Sequence, residues 1–504
     1  MSADSRPGLP DLRSRVLGGL VWVGASQAGL QLTRAVVAIA IARLVTPEDY
    51  GLAALALVFA SLVLVFSDLA LGAALIQRKT LSDADRNTAF WITIGSGLLF
   101  TLIGLALSGP IAALYGEPSA QPLLAVLSAS FLVSAAGAPQ QSLMLREMDW
   151  RRVEMLPMLG ALVGGVTGVV LAATGAGAWA IIAQYLAGTA VTTLLVWWRS
   201  PWRPRLAFSW HSARDLSGFS IYMLGHRLLY YLQTNGDRFL VGRFLGTGAL
   251  GAYAVAYNAV IQPASKIGGP LQRVMSPAFC RIQDEPERIA AAWARVVRLL
   301  AAVSVPALAG LVVVAPDFVP VVLGDHWEAA IPVVQILAWV GIVQALQSLC
   351  VDVLMARDRA RTIFRFSLVL TTCHLIAFSI GLQWGVVGVA AMYAASTTLI
   401  EPAQTVLAAR ALGVSPMVFL RSIAGVFQAV LGMCAIVLGL RLALVDAGLE
   451  ATVRLILCTG VGVLSYVALC AWRVPELTQE LRGILRRRAG GTAPLVAPAA
   501  AVES

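Results

Sequence analysis

Fourteen long apolar stretches run through this chain between Gly19 and Trp472, and they constrain the fold more than any other feature. A helix needs about 20 mostly apolar residues to cross a hydrocarbon core of about 30 Å. The stretch from Gly51 to Ile76, for example, contains one charged residue, Asp68. Only 13% of all residues are charged, against about 25% in soluble proteins. We therefore predict an all-α polytopic membrane protein with about 14 transmembrane helices.

The basic residues predict the orientation of these helices. Of the 37 Lys and Arg residues, 28 lie in eight stretches that alternate along the chain with connections carrying almost none. By the positive-inside rule the basic stretches and both termini are cytoplasmic, which requires an even number of spans. The net charge of +10 therefore reflects membrane orientation, and we expect no nucleic-acid partner. The basic stretches are residues 1–15, 78–86, 146–152, 199–214, 281–298, 357–365, 410–421 and 473–488.

A short internal repeat predicts how the helices are grouped. Ala42–Val45 and Gly51–Ala53 match Gly242–Leu245 and Gly251–Tyr253 at an offset of 200 residues. Six spans precede the second copy, so both copies have the same orientation, as in parallel repeats related by an axis along the membrane normal. We predict two six-helix lobes in parallel repeat. Such lobes leave a central cavity that can open to either side, as in transporters.

The predicted organisation has four parts. An N-lobe at 1–198 contains spans 1–6, and a C-lobe at 217–409 contains spans 7–12. An additional pair of spans occupies 417–472, and a mostly disordered cytoplasmic tail occupies 473–504. The fourteen spans cover residues 19–42, 51–76, 88–114, 121–144, 153–173, 177–198, 217–242, 248–279, 299–323, 329–355, 363–381, 385–409, 417–444 and 452–472.

Catalytic and cofactor motifs are missing from the sequence. It contains no phosphate-binding Walker loop, no H-E-x-x-H and no dinucleotide-binding glycine motif at a strand-to-helix junction. We expect no catalytic residues, no cofactor and no metal. The connections are also short, which disfavours a membrane glycosyl polymerase with a large external loop, a distant alternative.

Charged residues inside the spans are the candidates for ligand binding. Each costs about 2.5–3.5 kcal/mol to insert, so such residues usually face a cavity or a partner. Basic groups predominate and predict an anionic ligand, because the planar fork of Arg donates paired hydrogen bonds to phosphate or carboxylate. The candidate anion-binding residues are Arg34, Arg227, Arg238, Lys266 and Arg273. The candidate polar residues of the cavity wall are Gln27, Gln31 and Asn235.

Four acidic residues within spans are further candidates, namely Asp68, Asp237, Asp352 and Glu401. They have three interpretations. They neutralise neighbouring arginines, as Asp237 would for Arg238; they bind a proton or sodium ion that drives transport; or they line the cavity without titrating. Asp352 and Glu401 lie near Arg357 and Arg410 in the predicted topology.

The stretch 284–298 has an amphipathic pattern. Ile289, Trp293, Val296 and Val297 alternate at helical spacing with basic residues. This pattern predicts a helix lying in the membrane interface before span 9.

Several stretches resemble the polysaccharide exporter and oligosaccharide flippase branch of the multidrug/oligosaccharidyl-lipid/polysaccharide (MOP) superfamily, close to the colanic-acid exporter type. The similarity covers about residues 15 to 410. It is carried by Leu44–Gly51, Phe66–Arg78, Asn235–Gly246, Lys266–Pro270 and Pro277–Gln283.

The resemblance implies a bacterial inner-membrane flippase without enzymatic activity. It would move an undecaprenyl-diphosphate-linked oligosaccharide, as a capsule, exopolysaccharide or O-antigen unit, to the outer leaflet by alternating access. Its implied partners are the lipid-linked oligosaccharide, membrane lipids, a polysaccharide polymerase and a chain-length regulator, and we expect a monomer. A multidrug antiporter and a peptidoglycan lipid flippase of the same superfamily remain alternatives, although an antiporter for cations would favour acidic residues over the basic ones found here.

Overall fold

The computed structural model describes residues 29–67, 75, 81–147, 149–217 and 220–475, and every predicted span overlaps a helix in this part of the chain. The α-helices are α1 (29–44), α2 (Pro47–Ser67), α3 (Asp83–Tyr115), α4 (Ala120–Arg146), α5 (Trp150–Ala173), α6 (Ala178–Arg199), α7 (Trp210–Ser217), α8 (Ser220–Arg281), α9 (Pro286–Phe318), α10 (Ile331–Gln347), α11 (Cys350–Ala356), α12 (Ala360–Gly381), α13 (Gly385–Ile400), α14 (Pro402–Leu412), α15 (Met417–Asp446) and α16 (Ala451–Arg473). A π-helical turn at Val319–Leu323 and a 3₁₀ turn at Asp325–Ala330 connect α9 to α10, and a 3₁₀ turn at Leu382–Trp384 connects α12 to α13.

Ten helical segments among the described residues are long and apolar enough to cross a membrane. Two of them, Tyr231–Pro263 and Ala360–Leu412, each include parts of two predicted spans. Large apolar side chains are exposed on the surfaces of these ten segments, such as Leu431 at 68% exposure and Leu464 at 72%. Apolar patches of this extent are rare on soluble monomers. The prediction of an all-helical membrane protein is confirmed.

Glycine sets the break in the longest helical segment. In α8, Gly246 has φ 85° and ψ 178°, so two helices meet there within one continuous segment. A positive φ is costly for residues with a Cβ atom and accessible to glycine. The break lies between the seventh predicted span, which ends at residue 242, and the eighth, which begins at residue 248.

Helix α2 and the second half of α8 cross at two glycines. A Cβ atom on Gly51 would lie 1.8 Å from the carbonyl oxygen of Thr247. A Cβ atom on Gly251 would lie 1.9 Å from the carbonyl oxygen of Pro47. Both distances are far below van der Waals contact, so the backbones approach closely only because both residues lack side chains.

The stretch predicted to lie in the membrane interface is different in the structure. Residues 286–298 form the first turns of α9, which continues without a break to Phe318. Their apolar face is buried in protein, and the Trp293 ring lies 5.3 Å from the ring of Phe419 on α15. The amphipathic pattern was correct, but the prediction of an interfacial helix was wrong because another helix covers its apolar face.

Contacts between Cα atoms divide the chain into two compact units. The first comprises the described residues of Met1–Pro263 with Phe318–Val340 and Arg361–Glu401. The second comprises Ala264–Asp317, Gly341–Ala360 and the described residues of Pro402–Ser504. The lobes at 1–198 and 217–409 and the added pair at 417–472 stay predictions. Most of the predicted tail, 476–504, lies outside the described residues.

Candidate functional site

Arg34 lines a cavity of about 480 Å³ inside the first unit. Helices α1, α2, α4, α5 and α6 form its walls, and the volume lies within the range of about 300–1,000 Å³ common for small-molecule sites. The side chain of Arg34 is exposed and makes no hydrogen bond or ion pair with the described residues. The cavity residues on α4 and α5 lie at 134–141 and 157–161, in the halves of these helices remote from the turn at 174–177.

Helices α4 and α6 contribute several polar side chains to the cavity. Gln141 on α4 and Gln184 and Tyr185 on α6 line it, and none of the three makes a side-chain hydrogen bond within the described part of the chain. Thr189 and Thr192 also line it and donate their hydroxyl protons to the carbonyl oxygens of Tyr185 and Gly188, at 2.8 and 2.7 Å. Their oxygen atoms remain available as acceptors. Polar groups within a membrane are costly unless water or a ligand satisfies them.

Small residues hold this wall in place. A Cβ atom on Gly164 of α5 would lie 2.5 Å from the carbonyl oxygen of Gln184, and one on Gly160 would lie 2.0 Å from Oγ1 of Thr192. Glycines at such spacing allow helix backbones to pack closely in membranes. The sequence of α5 therefore fixes the position of the polar residues on α6.

Arg238 lies in a separate aromatic environment of the same unit and does not line the Arg34 cavity. Its guanidinium carbon lies 4.0 Å from the centre of the Tyr257 ring, a cation–π geometry. Its Nε atom is buried without a hydrogen-bond partner among the described residues. The carboxylate of Asp237, which is 2% exposed, instead accepts hydrogen bonds from Tyr253 Oη and from the backbone N–H of Arg238, both at 2.8 Å.

Asp237 and Arg238 therefore form no direct ion pair within 4 Å, and neutralisation of Arg238 by Asp237 stays one of the three interpretations. The backbone of the helix directs the two side chains apart, and each finds an aromatic partner. Helix α2 lies next to both sites, because Leu57 lines the Arg34 cavity and the neighbouring carbonyl of Val58 accepts a 3.0 Å hydrogen bond from Tyr231 Oη.

The other predicted residues have different outcomes. Gln27 and Asp68 lie outside the described residues, and so do the side chains of Arg227, Lys266 and Arg273, whose backbones are helical. Gln31 lies one turn before Arg34 but does not line its cavity. Asn235 donates to Thr234 Oγ1 at 3.0 Å and to the Tyr231 carbonyl at 3.3 Å.

The two acids near the predicted cytoplasmic ends, Asp352 and Glu401, lie in different environments. Asp352 forms a hydrogen bond with the Ser276 side chain and no ion pair within the described chain. Arg357 donates to the carbonyl oxygens of Ala411 and Gln283 instead. Glu401 is buried, at 5% exposure.

A different acid, absent from the predicted set, is the most strongly paired. Asp317 on α9 is 1% exposed and contacts Nε of Arg441 at 2.5 Å and Nη2 of Arg454 at 2.6 Å. All three residues belong to the second unit. Each of the three falls within a predicted span. The cost of burying a charge in a span, which selected the other charged candidates, therefore applies equally to them.

One end of the first unit is closed by contacts between distant segments. The carbonyl oxygen of Ala42, near the end of α1, accepts a hydrogen bond from Nε1 of Trp327 at 2.8 Å and lies 2.9 Å from Nε2 of His326. Arg43 donates to the carbonyl oxygens of Val321 and Val322. These contacts are at the same end of α1 and α2 as the glycine crossing, remote from the 134–141 segment of the cavity.

Comparison with solved structures defines the class of protein. The chain superposes on a structure described as lipid II flippase MurJ in an inward closed conformation, with a TM-score of 0.72 and 13% identity over 91% of this chain and 100% of that one. An inward-facing multidrug resistance MATE family transporter of the MOP superfamily gives a TM-score of 0.55 and 15% identity, over 77% of this chain and 94% of that one. These similarities establish the fold, which is the multi-helix membrane fold shared by the MurJ and MATE structures.

Sequence comparison then gives the family. A profile described as "Polysaccharide biosynthesis protein" matches residues 40–332. The lipopolysaccharide biosynthesis protein WzxC of Escherichia coli strain K12 is 32% identical over 384 residues, 75% of this chain and 77% of that protein. The chain belongs to this family of polysaccharide biosynthesis proteins.

Proposed function

We propose that this protein moves an undecaprenyl-diphosphate-linked oligosaccharide from the cytoplasmic to the outer leaflet of a bacterial inner membrane. The observation that carries the proposal is the guanidinium of Arg34, which has no partner among the described residues and lines a cavity with several polar side chains inside a membrane-spanning unit. An arginine there stays ionised and matches the geometry of phosphate oxygens. The undecaprenyl carrier and the sugar unit come from the family resemblance and from the role of WzxC in lipopolysaccharide biosynthesis.

The positive-inside distribution supports the direction of transport. With both termini in the cytoplasm, cavity segments 134–141 and 157–161 belong to the cytoplasmic halves of α4 and α5. The contacts of Ala42, Arg43 and the glycine crossing then lie at the outer end. This arrangement is a state that accepts substrate from the cytoplasm, and release to the outside requires the outer contacts to separate.

The charged groups have distinct roles in this proposal. A diphosphate loses its hydration in a low-dielectric path, so a cation must compensate its charge. Arg34 supplies that cation in the cavity, and Arg238 supplies a second from its aromatic environment. The prenyl chain remains in the lipid. The cationic path is proposed to extend to three further basic residues, Arg227, Lys266 and Arg273. Four acidic residues have two alternative roles in this proposal, either binding a coupling ion or pairing with arginines; they are Asp68, Asp237, Asp352 and Glu401.

Deletion of the gene tests the proposal. Loss of the flippase traps undecaprenyl-linked oligosaccharide on the cytoplasmic face and removes the surface polysaccharide, as measured by mass spectrometry of lipid extracts and by glycan profiling. The wild-type gene restores both, whereas Arg34→Ala does not. Arg288→Ala is the matched control, because this exposed residue pairs with Glu285 at the surface, where ion pairs contribute little.

Two results would contradict the proposal. An unchanged glycan profile with increased drug sensitivity would indicate a multidrug antiporter. Accumulation of peptidoglycan precursor would indicate a peptidoglycan lipid flippase.

A further inference from the structure

We propose that the wall of the Arg34 cavity formed by α4 and α6 is a subsite for an uncharged sugar unit attached directly to the diphosphate. This inference rests on the proposed transport function and specifies what the cavity recognises beyond the phosphate charge. The polar side chains of this wall include those of Gln141, Gln184, Tyr185, Thr189 and Thr192.

The donors and acceptors of this wall are complementary to sugar hydroxyls. The amides of Gln141 and Gln184 have no partner among the described residues, so each has donors and an acceptor to offer. Thr189 and Thr192 have already donated their protons to backbone carbonyls and therefore act only as acceptors. A sugar hydroxyl donates one hydrogen bond and accepts others, so one unit can satisfy both kinds of group.

The charges of the cavity lining point to an uncharged unit. Among the described residues that line the cavity, Arg34 is the one ionised residue, and none is Asp or Glu. The proposed function already uses Arg34 for the diphosphate, so the described lining of this cavity offers no second cation to an acidic sugar. A cationic ligand would meet Arg34 without a compensating carboxylate.

The wall is also held ready for binding. The close approach of α5 to α6 at Gly160 and Gly164 fixes the backbone that carries Gln184 and Thr192. A fixed site loses less conformational entropy on binding than a mobile one. A cavity of about 480 Å³ is at the lower part of the range for small-molecule sites, so it holds the carrier-proximal sugar and leaves the rest of the oligosaccharide outside.

Binding of three defined lipids to the full-length protein in nanodiscs tests the subsite. The probes are undecaprenyl diphosphate, undecaprenyl diphosphoryl-glucose and its galactose epimer. We expect the wild type to bind at least one glycosylated probe about tenfold more tightly than the bare lipid, as expected for one or two added hydrogen bonds. The double variant Gln184→Leu, Tyr185→Phe should lose this difference and keep its affinity for the bare lipid, which also shows that it is folded.

Two further variants separate the causes. Arg34→Ala should weaken binding of all three probes, and Gln383→Leu, at an exposed turn outside the cavity, should weaken none. Equal affinity of the wild type for all three probes, or an equal loss for all three in the double variant, would overturn the sugar subsite while carrier binding stands. Failure of the wild type to bind any probe would overturn the proposed function itself.

Discussion

Gly51 and Gly251 lie against each other where α2 crosses the second half of α8, and their contacts are reciprocal. Gly51 approaches the Thr247 carbonyl, and Gly251 approaches the Pro47 carbonyl. Each pair is related to the other by the same offset of 200 residues that relates the two copies of the sequence repeat. A two-fold axis produces such reciprocity, because residue i then contacts j and residue j contacts i. The crossing supports the predicted repeat, and it lies at the proposed outer end of the transporter.

The first prediction is that a side chain at this crossing prevents closure of the outer end. Even a single Cβ atom on Gly251 would lie 1.9 Å from the carbonyl oxygen of Pro47. Gly251→Val adds two methyl groups beyond that atom, so α2 and α8 must separate. We expect loss of polysaccharide export. We also expect several-fold faster labelling of Ala42→Cys by a membrane-impermeant maleimide, in a background without the native cysteines.

Gly439→Val is the control for this experiment, because a Cβ atom there has no neighbour within 4 Å. It should leave both export and labelling unchanged. Unchanged labelling in Gly251→Val with normal protein abundance would show that the crossing does not hold the outer end closed.

The second prediction concerns the stacking of Arg238 on Tyr257. A cation–π contact contributes about 0.5–2 kcal/mol, and the planar guanidinium makes it better than an ammonium group does. Arg238→Lys should therefore lower the initial rate of export several-fold, and Arg238→Ala should lower it further, with membrane abundance unchanged. Tyr257→Phe keeps an aromatic face and should reduce export less than Tyr257→Leu. Equal rates for Arg238→Lys and the wild type would show that charge alone matters.

The sequence predicted the helices well because the length and apolarity of a span are local properties. It also selected Arg34 as a candidate, since an arginine in the middle of an apolar stretch is conspicuous, and the structure places Arg34 at a cavity. It did not identify Gln141 and Gln184 as its neighbours, because they lie on other helices and reach the cavity only through the close packing of α5 and α6. The residues that share a cavity depend on helix rotation and crossing, which a single sequence does not encode locally.

Two other differences have equally physical causes. An amphipathic face at residues 286–298 fits a membrane interface and a protein surface equally well, and only the position of Phe419 on α15 decides between them. The Asp237 carboxylate adjoins Arg238 in sequence, but adjacent residues on a helix point in different directions. Tyr253 and Tyr257, one turn apart, accommodate the two groups separately.

The third prediction is that Asp317 stabilises the second unit by neutralising two arginines. Removing one partner of a buried ionic group leaves an uncompensated charge and costs about 3–5 kcal/mol. Asp317→Asn should lower the thermal unfolding temperature of the purified protein in detergent, whereas Asp325→Asn, at an exposed turn, should not. Replacing all three residues, as Asp317→Leu with Arg441→Met and Arg454→Met, should recover most of the loss, because no buried charge remains. A triple variant as unstable as Asp317→Asn would contradict this prediction, because it would show that the three charged groups stabilise the unit by more than neutralising one another.

The fourth prediction distinguishes a buried first turn of α9 from an interfacial one. Trp293 is 1% exposed and its ring packs on Phe419, so Trp293→Ala removes a large side chain from a packed core and should cost about 3–5 kcal/mol. Trp293→Phe keeps most of the contact, and the indole Nε1 has no hydrogen-bond partner among the described residues, so this variant should cost much less. Trp210→Ala is the control, because that side chain is 82% exposed. Thermal unfolding in detergent measures all three, and equal small shifts for Trp293→Ala and Trp210→Ala would mean that lipid rather than protein covers this face of α9.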